Sequence, residues 1–165
     1  FLLNKKFISI LKIKKKHLKF HSRYSAKARV YKYIMFNRDS VPAINKNRVW
    51  HIKKKINLKN LKRGAKFLLG KKDFSTFRAS SCSANNPIRT LEKINIVKKN
   101  NQISIEFRSR SFLQTQVRSM VGSLKYLGEG KWDLKKFKYV TLSKRRELCA
   151  PPAPAHGLFL KKVIY

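Results

Sequence analysis

SFLQTQVRSMVGSLKYLGEG, residues 111–130, is the stretch from which the rest of this chain is read. Its apolar residues Leu113, Val117, Met120, Val121, Leu124 and Leu127 recur at helical spacing and form one stripe. The spacing predicts a helix from Phe112 to near Gly128, with Arg118 on the flank of the stripe and Gly122 one turn further on. A glycine there lets another backbone, or a substrate, approach beside the guanidinium.

Working outward, residues 7–13 (FISILKI) and 29–37 (RVYKYIMFN) are rich in β-branched and aromatic residues and read as strands. Alternation in the second puts Arg29, Tyr31, Tyr33 and Met35 on one face, with Val30, Ile34 and Phe36 on the other. Asn57 is placed to cap a helix through Leu58, Leu61, Ala65, Leu68 and Leu69, stopped by Gly70. Residues 73–78 read as a loop with a short helical turn. Residues 89–97 and 102–110 form a hairpin turning at 99–101. Asp133 caps a shorter helix with Leu134, Phe137 and Val140 inward. APPAPAHG is a stiff connector into a last strand, residues 158–165. With no internal repeat and no linker, residues 1–165 are expected to be a single α+β domain.

Charge is the unusual quantity. The 165 residues include 41 basic and 7 acidic side chains, a formal +34, on an otherwise ordinary globular composition of 42% hydrophobic residues. Such a surface repels itself unless a polyanion neutralises it, which points to RNA, a solvated lysine coat being the plainer alternative. Only 12 of the 41 are arginines, and these carry more information because guanidinium groups make directed bidentate contacts. Cys82 and Cys149 are far apart and, with His17, His21, His51 and His156, form no metal signature, so no metal is expected. Lys5, Lys6 and Lys12 interrupt the basic N-terminal residues 1–16, which do not read as a targeting peptide, and no run is long enough to span a membrane. A reducing cytoplasm fits.

Residues 111–130, read with the C-terminal APAHGLFLKKVIY, resemble the tRNA pseudouridine synthase family of the TruA type. The segments FHSRYSAKARVYKYIMFNR (20–38), FLLGKKDFSTFRASSC (67–82) and NPIRTLEKINI (86–96) follow in the family's order and spacing. The resemblance implies a mixed or antiparallel β-sheet with helices packed on one face, the second half of a pseudouridine synthase fold. It also implies isomerisation of uridine to pseudouridine in the anticodon stem-loop of tRNA (positions 38 to 40 in the family), by a homodimer without a cofactor.

By that resemblance Arg118 partners the catalytic aspartate, Tyr31 contacts the substrate, and Leu158, with Phe112 in the same apolar shell, lines the uracil pocket. Arg23, Arg78 and Arg89 contact RNA or brace loops. From the residues alone, Tyr31 reads as a core tyrosine, Leu158 as an inward strand residue and Arg118 as part of a solvated helix face. Gln116 and Ser119 depart from the family, which usually has methionine and asparagine there. Its nucleophile lies in an Arg-Thr-Asp-Ala-Gly segment that does not occur here. Among the acids present, Asp39, Glu92, Glu106, Glu129 and Glu147 lack its context, while Asp73 suits a loop-fixing role and Asp133 an N-cap. The chain is thus expected to be the C-terminal part of a longer enzyme, inactive alone and, with unpaired strand edges, prone to aggregate. The alternative is a catalytically silent, basic RNA-binding or ribosome-associated homologue.

Overall fold

A computed structural model describes residues 8–165. Its centre is a six-stranded mixed sheet made from β1 (Ala28–Asn37), β2 (Trp50–Ile52), β3 (Gly70–Asp73), β4 (Ile88–Lys99), β5 (Gln102–Ser109) and β6 (Leu158–Ile164). The order is β2-β1-β5-β4-β3, and β6 also pairs with β1. Residues 29–36 of β1 are paired with β5 along one edge, so β6 (on residues 28–33) and β2 (on 35–37) share the other edge in succession. Only the β1–β2 pair is parallel.

Period-two patterning decides which face is covered. Ile103, Ile105 and Phe107 of β5 are fully buried, and the register sets them beside Met35, Tyr33 and Tyr31 of β1. The alternate positions Lys32, Glu106 and Arg108 remain in contact with solvent. The helices α1 (Leu58–Leu68), α2 (Gln116–Gly128) and α3 (Leu134–Leu142) contribute Leu61, Leu68, Met120, Leu124, Leu127 and Phe137 to the same core. Asn57 and Asp133 cap α1 and α3 by accepting from the N–H groups of Asn60 (3.0 Å) and Lys136 (2.7 Å). Asp73 fixes the turn before the 3-10 segment Ser75–Phe77 by accepting from the Ser75 N–H (2.8 Å) and hydroxyl (2.6 Å).

Three expectations need correction or extension. Phe7 of the predicted strand 7–13 lies outside the described residues. Residues 8–13 form no regular structure and leave Leu11 and Ile13 largely exposed, because β-propensity without a pairing neighbour does not make a strand. The predicted helix begins at Gln116 rather than Phe112: Thr115 adopts a left-handed backbone (φ 64°) that breaks the helical run, although Leu113 is still buried. The short strands β2 and β3 carry no pattern long enough to detect, and β3 starts at Gly70, whose φ of 93° lets the chain turn directly out of α1.

Candidate active site

Two pockets lie side by side at the meeting of β1, β6 and the N-terminal end of α2. The first, of about 420 Å³, is lined by Tyr31, Phe112, Arg118 and Leu158 together with residues 113–117. Tyr31 comes from β1, Phe112 from the connection after β5, Arg118 from α2 and Leu158 from the first position of β6. The rings of Tyr31 and Phe112 meet edge to face with centroids 5.2 Å apart, which fixes both as one wall. A shift in the β1–β6 register falls between Val30 and Tyr31, beside this wall.

Arg118 is held by its backbone and its side chain at once. Its Nε donates to the Ala153 carbonyl (2.6 Å), and its own carbonyl accepts from the Ala153 N–H (3.0 Å). No other side-chain hydrogen bond of Arg118 is found among the described residues, so both terminal nitrogens remain available to a partner in the pocket. The strap around Ala153 is tied down from the other side by the Tyr33 hydroxyl, which donates to the Pro154 carbonyl (2.7 Å). Burial pushes the Tyr33 hydroxyl well above the ordinary tyrosine range, the nearby Arg118 charge opposing it, so at neutral pH the hydroxyl is a proton donor.

Two glycines make the strap possible. A Cβ at Gly122 would collide with the Pro151 carbonyl oxygen, so the backbone expected to approach there is that of the strap. A Cβ at Gly157 would stand 2.8 Å from the Tyr33 ring. The residues 150–157 that the sequence presents as a mere connector are therefore what orients Arg118. The signal for this was the pairing of Gly122 with Arg118 on one helix flank.

Gln116 and Ser119 are both buried, Gln116 in the lining of the first pocket. Gln116 is buried and its Oε1 accepts from the Leu113 N–H (2.8 Å), closing the N-terminal end of α2. Ser119 is buried and its Oγ accepts from Arg146 (3.1 Å).

The second pocket, of about 570 Å³, shares Tyr31, Phe112, Leu113 and Gln114 with the first and takes Arg23 and Arg89 into its wall. Arg23 is positioned by the FHSRYS loop, in which the His21 Nδ1 accepts from the Arg23 N–H (3.1 Å). Arg78 lines neither pocket; its guanidinium donates to the Cys82 carbonyl (2.6 Å) and braces that loop. None of the seven acidic residues lines either pocket, and no helix among the described residues is long and apolar enough to cross a membrane.

A family model described as tRNA pseudouridine synthase matches residues 65–165. A protein of Pelagibacter ubique named tRNA pseudouridine synthase A is 64% identical over 163 residues, covering 99% of this chain and 66% of that protein. Proteins of the same name from Acidiphilium cryptum and Mesorhizobium japonicum are 41% and 42% identical over 87% and 88% of the chain. The chain spans 66%, 56% and 59% of the lengths of these three relatives. With the matched segment running from α1 through α2 and the strap to β6, and the identity extending through β1, the chain belongs to the tRNA pseudouridine synthase family.

Proposed function

We propose that the protein carrying this chain isomerises uridine to pseudouridine in the anticodon arm of tRNA, and that residues 1–165 form the C-terminal part of its catalytic domain. The observation that carries the reading is the convergence of Tyr31, Phe112, Arg118 and Leu158, from four separate places in the sequence, on one pocket.

The reaction breaks the bond between ribose C1′ and uracil N1, turns the base, and joins C1′ to C5. The C5 proton is lost and N1 ends protonated, so the product is an isomer of the substrate and the reaction needs no net oxidant or reductant. The base must first leave its stack, at a cost of roughly a few kcal/mol. The Tyr31–Phe112 wall and Leu158 give the extracted base an apolar seat, and the Tyr31 hydroxyl offers a hydrogen bond to ribose or base. The two free terminal nitrogens of Arg118 suit a bidentate contact with a carboxylate, which keeps a nucleophilic aspartate ionised and aimed. That carboxylate is supplied by residues outside this chain, since no acid here lines the pocket.

Arg23 and Arg89 are assigned to RNA contact, and Arg78 to bracing the loop beside them. By likeness to its family the complete protein is read as a cytoplasmic homodimer, with one tRNA meeting both subunits. The test is to map pseudouridine base by base in a tRNA transcript treated with the full-length protein. Modification confined to the anticodon arm supports the reading, and modification elsewhere or none overturns it.

A further inference from the structure

The pocket beside the base seat carries more charge than the Arg23 and Arg89 assignments explain. Its lining holds four arginines, Arg23, Arg29, Arg89 and Arg110, and no carboxylate. None of the four forms an ion pair among the described residues, although six such pairs form elsewhere on the chain. Four cations around one cavity repel one another, and an anion among them relieves that repulsion.

Arg29 is fixed in place. Its Nη1 donates to the Arg110 carbonyl (2.5 Å) and its Nη2 to the Arg23 carbonyl, so one guanidinium ties together the two segments that carry its neighbours. Arg89 is fixed likewise, its Nη1 donating to the Asn86 (2.6 Å) and Ile88 (2.7 Å) carbonyls, while its buried Nε has no partner among the described residues. Groups held this way lose little freedom when they bind. The Arg110 side chain is exposed and makes no hydrogen bond to the described protein.

We infer that this arginine groove holds the phosphodiester adjoining the nucleotide whose base stands against Tyr31, with Arg29 and Arg110 among its phosphate contacts. A nucleotide joins a flat base to a phosphate across one ribose, and here an aromatic pocket and an arginine pocket share the wall Tyr31–Phe112. A protein carboxylate as occupant accounts for the arginines but not for that shared wall. The inference rests on the proposed function for the identity of the base, and on the groove itself for the phosphate.

The test uses the full-length protein and synthetic anticodon stem-loops in which one neutral methylphosphonate is placed at each loop linkage in turn. Dissociation constants are measured for wild type, Arg110→Gln and Arg29→Gln. Arg110→Gln removes a side chain that braces nothing, so it keeps the test sound if Arg29→Gln fails to fold. The expected result is one linkage at which methylphosphonate weakens wild-type binding about tenfold but weakens Arg110→Gln no further. Each variant also lowers the salt dependence of binding by about one counterion. Wild-type affinity in both variants, or losses that multiply at every linkage, would overturn the groove. Coupling at one linkage without any pseudouridine formation would uphold the groove and overturn the proposed function instead.

Discussion

Replacing Gly122 by alanine sets two opposed effects against each other, and the structure decides the sign. Gly122 lies inside α2, where exchange of glycine for alanine ordinarily stabilises a helix by about 1 kcal/mol. Here the added methyl would fall on the Pro151 carbonyl oxygen and lie 3.2 Å from the Pro151 carbonyl carbon. These are backbone atoms, so no side-chain rotation relieves the clash. The strap must shift, against two hydrogen bonds joining Ala153 to Arg118 and one joining Pro154 to Tyr33. Overpacking of this kind costs roughly 1–3 kcal/mol, and each bond stretched adds about 1 kcal/mol. With one of the three bonds stretched and the helix gain subtracted, Gly122→Ala should destabilise the full-length protein by about 2 kcal/mol. Urea unfolding at neutral pH measures this as a lower midpoint with an unchanged slope. Unchanged or increased stability would refute the claim that the strap is seated against this helix face.

Asn37 is buried and serves three backbone groups, donating to the Ile52 (2.9 Å) and Lys54 (2.8 Å) carbonyls and accepting from the Ile56 N–H (3.0 Å). Asn37→Ala should cost about 3 kcal/mol in a urea titration, and Asn37→Asp should fare no better, because a carboxylate cannot donate to the two carbonyls. Asn57→Ala removes the cap of α1 and should lower stability by about 1 kcal/mol, with Asn57→Asp largely restoring it. Burial tends to raise the Asp73 carboxyl, but its bonds from the Ser75 hydroxyl and N–H, with Lys144 nearby, outweigh that and hold it below the usual range. Such a group contributes stability above its unfolded value of about 4, and that contribution is lost as pH falls through the lower folded value. Asp73→Asn should therefore flatten the acid limb of stability against pH, measured by thermal unfolding in a series of acidic buffers.

The long patterned elements were legible because their periods were unambiguous. The β4–β5 hairpin, the two helices capped by Asn57 and Asp133, and the division of β1 into two faces follow directly from alternation, helical spacing and capping chemistry, although alternation alone did not say which face of β1 is inward. Residues 8–13 misled because FISILKI has strand composition while pairing is a tertiary event that composition does not record. The strands Trp50–Ile52 and Gly70–Asp73 exist only by leaning on β1 and β4, and their three and four residues hold too little pattern to announce it. Family resemblance singled out Tyr31, Phe112, Arg118 and Leu158, and nothing in their local spacing foretold a common pocket. The anchoring of Arg118 by Ala153, and of that strap by Tyr33, was readable only as the close backbone approach that Gly122 permits. It depends on carbonyl groups, which every residue possesses and no sequence distinguishes.

The most direct measurement follows the hydrogen at uracil C5, which must depart if C5 becomes bonded to ribose. The full-length protein and its Arg118→Ala variant are incubated with tRNA carrying tritium at C5 of uridine, without added cofactor, and released tritium is counted. Steady release by wild type and its loss in Arg118→Ala are expected, the variant still folding after losing the bond from Nε to Ala153. No release by wild type, or equal release by the folded variant, would contradict the assignment of this pocket to uridine isomerisation.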